Sequence, residues 1–145
     1  MSDSDLLAAY LATVWSVDGP DGALEVRPGR IAPPPLRPSA IVTAYNPASQ
    51  PRPAEENDRA DADLRARIAA AGAEPWRTLA RGTGDDAGAW DEPGWLIRGD
   101  VRGLAVALGA EFGQNAIVWI DAAGDVAIVV TRDGFCRTAV GEVVR

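Results

Sequence analysis

Residues 40–47 read AIVTAYNP, the pattern of a β-strand that ends in a turn, and the fold prediction is built outward from it. Successive side chains of an extended chain point to opposite faces, so Ile41 and Tyr45 should share one face and Val42 and Asn46 the other. The Asn-Pro pair at the end favours a turn. We therefore predict a strand here as the first element of a larger unit.

An amphipathic helix is predicted over residues 54–71, directly after this strand. Its first half is acidic and its second half carries Arg65 and Arg67, an order that suits the helix macrodipole, and Gly72 follows as a stop. The apolar stripe of the helix, extended back by one turn, places Asn57 on the inward face. The stripe consists of Ala60, Leu64, Ile68 and Ala71. A buried asparagine needs hydrogen-bond partners, so we expect Asn57 to bond to neighbouring polar groups.

Four more strands and one more helix are predicted downstream. The strand segments are EPWRTLAR (74–81), GWLIR (94–98) and the hairpin NAIVWID (115–121) with DVAIVVT (125–131), and the helix runs over 100–112 with Asp100 as N-cap. From residue 40 the order is strand, helix, strand, strand, helix, strand. This order predicts an α+β fold of the ferredoxin-like, split βαβ type, an antiparallel sheet with its helices on one face.

The 145 residues, 47% of them apolar, are expected to form a single domain. A helix near residues 5–12, with Asp3, Ser4 and Asp5 as candidate N-caps, and a hairpin around residues 18–22 should precede the sheet unit. The predicted parts are the helix and hairpin at 1–27, a proline-rich connector at 28–39, the βαββαβ unit at 40–131 and a C-terminal extension at 132–145.

Composition excludes several classes of chemistry. The chain has no histidine, its fourteen basic residues are all arginine, and Cys136 is its single cysteine. A histidine base or metal ligand, a Schiff-base lysine and an intrachain disulfide are therefore impossible, and we expect no cofactor and an unreactive thiol. The net charge of -7 argues against nucleic-acid binding through a basic patch.

No segment reaches the ~18 uncharged apolar residues that a membrane helix needs. The N-terminal sequence carries acidic residues instead of the basic region of a signal peptide. We therefore expect a cytoplasmic protein without membrane contact. The sequence does not indicate an oligomeric state.

Four short motifs in one order carry a family resemblance. They are TAYNP at 43–47, Glu56-Asn57, Trp90-Asp91-Glu92 and FGQNAI at 112–117. Over about residues 8–130 the chain resembles a family of small bacterial proteins known as domain of unknown function 3293. The resemblance implies a grouping of residues but no activity, substrate or cofactor. The family continues after Trp-x-Glu with serine, where this chain has Pro93-Gly94.

The polar residues of these motifs are the candidate site. The candidate ligand-binding residues are Tyr45, Asn46, Glu56, Asn57, Trp90, Gln114 and Asn115, and Glu92 is the candidate catalytic acid or base. In the predicted topology they come from strand ends, a helix start and a helix end at one edge of the sheet. The alternative is a buried hydrogen-bond network, which we favour because buried polar groups must be satisfied whether or not a protein is an enzyme.

Two other groups of residues are candidate sites. Asp85, Asp86, Asp91 and Glu92 could hold Mg²⁺ or Ca²⁺, but their spacing is not that of an EF-hand, so we interpret them as a solvated loop and predict no metal site. Among five tryptophans, Trp119 is expected in the core and Trp90 partly exposed.

We therefore predict a small α+β module that acts by protein–protein contact or by binding a small polar ligand, and is more a binding protein than an enzyme. The alternative is a small histidine-independent enzyme that uses Glu92 with amide side chains, with or without a divalent metal ion. An enzyme pocket should be concave, with the Glu92 carboxyl reachable by solvent and its pKa perturbed. A third hypothesis, a nucleic-acid mimic, is disfavoured because arginines are interspersed among the acidic residues.

Overall fold

The computed structural model describes residues 2–83 and 91–144. These residues form three α-helices and eight β-strands. The helices are α1 (Asp3–Leu11), α2 (Ala54–Ala70) and α3 (Arg102–Glu111). The strands are β1 (Thr13–Gly19), β2 (Gly22–Val26), β3 (Ser39–Val42), β4 (Trp76–Gly82), β5 (Asp91–Arg98), β6 (Ala116–Ile120), β7 (Val126–Val130) and β8 (Val143–Val144).

The strands in these two ranges form one antiparallel sheet in the order β2-β1-β4-β5-β3-β6-β7-β8. β3 lies near its centre, where Ala40 is opposite Ile97 of β5 on one side and Trp119 of β6 on the other. The hairpin of β1 and β2 extends the sheet beyond β4, and β7 and β8 extend it beyond β6. The predicted α+β class with an antiparallel sheet is therefore confirmed.

α2 and α3 pack against the same face of the sheet. Leu64 and Ile68 of α2 and Leu108 of α3 are buried there against Val42 of β3 and Trp119 of β6. Full burial of a leucine or isoleucine side chain contributes about 1.5–3 kcal/mol. The face of α2 that the apolar stripe predicted is thus the face that holds it to the sheet.

The opposite face of the sheet is lined by apolar side chains from both of its ends. Val26 of β2 and Val144 of β8 belong to the same buried cluster as Ile41 and Leu96 at the centre. Tyr10 of α1 packs against this cluster. α1 therefore covers the face that α2 and α3 leave free.

α1 is fixed at its first turn. Ser2, and not one of the three expected residues, is the N-cap: its hydroxyl accepts the Asp5 amide at 3.1 Å and the Asp5 carboxylate accepts the Ser2 amide at 3.0 Å. Asp3 is thereby free to bind the C-terminal segment. Its carboxylate accepts hydrogen bonds from the Arg132 guanidinium at 3.2 Å and the Cys136 amide at 2.8 Å.

Two other expectations need correction. α3 begins at Arg102 after Val101 at the cap position, so Asp100 is not the N-cap. The reason is a turn at Gly99, whose φ of 109° suits glycine and places Asp100 outside the helix. The proline-rich connector also contributes to the core, because Leu36 within it is fully buried. None of the helices in the described ranges has the length and apolar character to cross a membrane.

Candidate functional site

The loop that follows β3 has an unusual backbone. Asn46, Ala48 and Ser49 have φ values of 44°, 53° and 60°, in the left-handed region that residues with a β-carbon rarely adopt. Such a conformation persists only where the surroundings enforce it. Here the Ala48 amide donates to the Gly113 carbonyl at 2.8 Å, which fastens the loop to the end of α3.

Asn57 is the main partner of this loop. Its side chain is 5% exposed, accepts the Asn46 amide at 2.9 Å and donates to the Asn46 side-chain oxygen at 2.9 Å. The same Asn46 oxygen accepts the Arg52 amide at 3.1 Å. The predicted inward position of Asn57 is confirmed, and the residue holds the start of α2 against the end of β3.

Gln114 and Asn115 connect the loop to the rest of the molecule. The Gln114 amide group donates to the Tyr45 carbonyl at 3.1 Å. The Asn115 amide group donates to the hydroxyls of Tyr10 and Ser49, each at 3.2 Å, and its oxygen accepts the Arg132 guanidinium at 2.6 Å. The two hydroxyls are 3.1 Å apart. Asn115 therefore orients Tyr10 and Ser49.

These hydroxyls border a cavity of about 70 Å³ on the face of the sheet that α1 covers. Its apolar wall consists of Trp15, Ile41, Ala80, Val118 and Ile128, among other residues. Its polar side chains are those of Tyr10, Thr13, Thr43, Asn46, Ser49, Thr78, Glu92 and Gln114. No arginine is among the described residues that line it. The cavity thus has an apolar wall, several neutral polar groups and one carboxyl group.

Glu92 supplies that carboxyl group. Burial raises its pKa from 4.5 to about 7, and polar interactions with the side chains of Thr43 and Asn46 oppose the shift. Part of the residue remains accessible to solvent. Among the described residues, Glu92 takes part in none of the ion pairs. It is a carboxyl group that faces a cavity without a cationic partner.

Thr78 of β4 is a second polar residue on the cavity wall. It is 1% exposed, and its hydroxyl has no hydrogen-bond partner among the described residues. The residue opposite is Gly94 of β5. A β-carbon on Gly94 would lie 2.9 Å from the Val42 carbonyl oxygen and 3.0 Å from the Thr78 hydroxyl. Glycine at this position therefore leaves room beside Thr78.

The structure brings some of the candidate residues together and separates others. The cavity is lined by Asn46, Glu92 and Gln114. Asn57 and Asn115 form hydrogen bonds to two of the residues that line it, Asn46 and Ser49. Tyr45 lies outside: its hydroxyl donates to Asp58 on α2 at 2.7 Å, and its pKa is raised to about 12, chiefly by burial. Glu56 is exposed and lies 3.9 Å from Arg52. Trp90 and the acidic residues Asp85 and Asp86 lie outside the described residues.

Sequence reasoning missed five polar residues of the cavity: Tyr10, Thr13, Thr43, Ser49 and Thr78. Tyr10 lies in a predicted helix with apolar neighbours and Ser49 in no nucleophile motif, so neither residue has a local sequence signal of a site. For Thr78 a signal exists, since it precedes Ala80 by two residues and so shares a strand face with it. A polar residue on an otherwise apolar strand face marks a buried polar position.

A buried ion pair lies apart from the cavity. Asp61, 7% exposed, accepts two hydrogen bonds from the Arg77 guanidinium, at 2.9 and 2.7 Å. This guanidinium also lies 4.0 Å from the centre of the Trp95 ring. The pair attaches α2 to β4. Within the described ranges no group of three or more acidic or cysteine side chains could hold a metal ion.

Comparison with known proteins agrees with the four motifs. A family model described as "Protein of unknown function (DUF3293)" matches residues 42–117, just over half of the chain. These residues include α2, β4, β5, α3 and the loop at 46–49, and with them Glu92, Asn57 and Gln114. No curated protein and no solved structure matches the chain. The chain belongs to the DUF3293 family.

Proposed function

We propose that the protein binds a small molecule in the cavity between the sheet and α1, with Glu92 contacting the polar end of the ligand. One observation carries this proposal: among the described residues, a carboxyl group without a cationic partner and a buried hydroxyl without a hydrogen-bond partner line the same cavity. A buried polar group that makes no hydrogen bond costs about 1–3 kcal/mol. A ligand that supplies the missing partners recovers this free energy.

The character of the walls supports the proposal. Small-molecule sites are typically concave and mostly apolar, with a few polar groups that fix the orientation of the ligand. Here Trp15, Ile41 and Val118 supply apolar surface, and Glu92 and Ser49 supply polar groups. A cavity of about 70 Å³ exceeds the ~10–15 Å³ that one water molecule requires, but suits only a small ligand or one end of a larger one.

The wider architecture we propose is the ferredoxin-like, split βαβ arrangement for residues 39–120. The strand order β4-β5-β3-β6 and the position of α2 and α3 on one face support it. In this arrangement β1 and β2 are additions at one edge, and β7 and β8 at the other. The additions provide Trp15 and Ile128 of the cavity wall.

Thermal-shift measurement against metabolites, nucleotides and divalent ions tests the proposal. A ligand present at 100 times its dissociation constant stabilises the native state by about 2.7 kcal/mol. Ala80→Val extends a side chain into the cavity, whereas Ala40→Val adds the same atoms to the opposite side of the sheet. We expect Ala80→Val to lose the ligand-induced shift and Ala40→Val to keep it. Equal shifts in both variants would place the ligand elsewhere.

A second candidate function is acid–base catalysis by Glu92. The observation in its favour is a pKa of about 7 for a carboxyl group that lines a cavity and remains partly accessible to solvent. A general acid or base works best when its pKa lies near the working pH. Incubation of a metabolite mixture with the wild-type protein and with Glu92→Gln, followed by mass spectrometry, tests this function. Equal conversion by both proteins would remove Glu92 from any mechanism.

The remaining parts of the sequence-based hypothesis stand as separate proposals. Contact with a partner protein stays a proposal, and Trp90, which is expected to be partly exposed, lies outside the described residues. A divalent ion at Glu92 finds no further carboxylate among the described cavity residues. A cytoplasmic location and a bacterial origin rest on composition and on the family resemblance.

A further inference from the structure

We infer that the ligand of this cavity is a small organic cation, a primary ammonium group on a short apolar chain, for which Glu92 is the counter-ion. This inference rests on the proposed function, because it names the class of ligand that the same cavity binds. Three features of the described residues support it. Asp61 has a cationic partner whereas Glu92 has none, the cavity wall has no positive charge, and the hydroxyl of Thr78 has no hydrogen-bond partner.

The first feature is a contrast between two carboxyl groups. Asp61 is buried, and the fold provides it with Arg77 as a two-fold hydrogen-bond donor. Glu92 is largely surrounded by protein, yet it takes part in none of the ion pairs among the described residues. A carboxylate removed from water is costly unless it is paired. A cationic ligand would pair with the Glu92 carboxylate as the Arg77 guanidinium pairs with Asp61.

The arginines nearest in the fold are engaged elsewhere. Arg81, on the strand next to Glu92, lies 3.6 Å from Asp91 with a largely exposed side chain. Arg132 binds the side chains of Asn115 and Asp3. The guanidinium groups of Arg81 and Arg132 therefore interact with residues other than Glu92.

The cavity wall favours a cation over an anion. Besides Glu92 its described polar side chains are hydroxyls and amides, and it contains no arginine. An anionic ligand would meet the Glu92 carboxylate without any compensating positive charge. An ammonium group has three donors and no acceptor, and a hydroxyl such as that of Ser49 or Thr78 can accept one of them. The aromatic rings of Tyr10 and Trp15 provide further stabilisation for a cation.

The apolar wall of the cavity indicates the chemistry of the group that is attached to the ammonium. Ile41, Val118 and Ile128 line the cavity with aliphatic side chains, so the group attached to the ammonium should be a hydrocarbon. The volume of about 70 Å³ restricts that group to a few carbon atoms. n-Butylamine, which is protonated at neutral pH, is therefore a suitable probe, and 1-butanol and butanoate are its neutral and anionic counterparts.

The pH dependence of binding follows from the charge on Glu92. With a pKa of about 7 in the free protein, the carboxyl group is protonated below that pH and must lose its proton to pair with an ammonium group. Affinity should therefore rise with pH up to about 7 and then level off. Tyr10 and Arg132 are the other ionisable groups near this end of the cavity. Burial raises the pKa of Tyr10, and arginine stays charged, so neither titrates in this range.

Titration of the full chain with the three probes, followed by protein NMR at pH 8, tests the inference. The readouts are the dissociation constant and the shifts of the Trp15 and Tyr10 signals. Glu92→Gln removes the charge from the cavity, while Asp91→Asn removes a charge from the exposed neighbour. We expect n-butylamine to bind at least tenfold more tightly than 1-butanol or butanoate. Glu92→Gln should weaken it at least tenfold, and Asp91→Asn less than twofold.

The other outcomes separate the two proposals. If 1-butanol or butanoate binds as tightly as n-butylamine, the cationic ligand is refuted while the cavity remains a binding site. If Asp91→Asn weakens n-butylamine as much as Glu92→Gln does, the amine responds to the net negative charge of the protein and the inference is refuted. If none of the three probes shifts the signals of Trp15 and Tyr10, both the inference and the proposed cavity site are overturned.

Discussion

Asn46 and Asn57 exchange two hydrogen bonds of 2.9 Å, one through the backbone amide of Asn46 and one through its side-chain oxygen. The pair joins the end of β3 to the first turn of α2. It also supports the left-handed conformation of Asn46, which has a φ of 44°. The position of Ser49 at the cavity thus depends on a side chain that does not itself line the cavity.

Asn57→Ala should reduce the free energy of unfolding by about 1–3 kcal/mol, because it leaves the Asn46 amide without its acceptor and removes one of the two hydrogen bonds to the Asn46 side-chain oxygen. Urea denaturation measures the change. Arg59→Ala, at an exposed position of the same helix, is the control and should change stability by less than about 0.5 kcal/mol. An unchanged midpoint for Asn57→Ala would contradict the assigned role.

Thr78→Val should leave stability unchanged or increase it, since the substitution removes a buried hydroxyl that has no hydrogen-bond partner in the described parts of the chain. The matched control is Thr131→Val. Thr131 is also buried, but its hydroxyl donates to the Gln114 carbonyl at 2.7 Å, so its loss should cost about 1–3 kcal/mol. Thermal unfolding of both variants in ligand-free buffer provides the comparison. Equal destabilisation of the two would show that the Thr78 hydroxyl has a partner.

Gly94→Ala and Gly103→Ala should change stability in opposite directions. A β-carbon on Gly94 would lie 2.9 Å from a backbone oxygen, a clash that should cost about 1–3 kcal/mol. Gly103 lies in α3, and a β-carbon there meets no atom within 4 Å, so alanine should stabilise the helix by up to about 1 kcal/mol. The melting temperatures test both statements. A Gly94→Ala variant as stable as wild type would contradict the close packing of β5 against β3.

Glu92→Gln should alter how stability depends on pH. The folded state holds the Glu92 proton up to a pKa of about 7, while the unfolded chain releases it near 4.5, so between these values the native state binds more protons. Wild-type stability should consequently fall across this window relative to Glu92→Gln, by up to about 3 kcal/mol, and level off above it. Urea denaturation from pH 4 to 8 gives both curves. Parallel curves would show that the pKa of Glu92 is not raised.

The sequence was sufficient to predict which face a side chain occupies where the pattern lies within a single helix or strand. The period of the apolar stripe in α2 identified Leu64 and Ile68 as core residues and Asn57 as an inward polar residue. Alternation along β3 correctly separated Ile41 from Val42. In both cases the regular geometry of one element determines which side chains share a face. The alternation was wrong for Tyr45 and Asn46, because the strand ends at Val42: Asn46 lines the cavity with Ile41, and Tyr45 contacts Asp58 of α2.

The sequence was insufficient where a position depends on distant partners. Asp61 extends the inward face of α2 by one turn beyond Asn57, yet its burial could not be inferred without Arg77, which comes from a strand on the far side of a turn. Tyr10 and Ser49 are 39 residues apart and meet through Asn115, far along the chain. The positive φ of Ala48 and Ser49 contradicts their intrinsic preference and follows from the contact of the loop with Gly113.

The two hydrogen bonds from Arg132 and Cys136 to Asp3 affect the order of events during synthesis. α1 precedes all the strands in the chain, whereas Arg132 and Cys136, which bind Asp3 in its first turn, follow β7. A nascent chain that has released only β1 to β6 therefore exposes Trp15 and Ile41 to water on an uncovered sheet. The cavity is covered only after residues 132–136 have been synthesised, so a chain that ends near residue 130 should be a product that chaperones and proteases recognise.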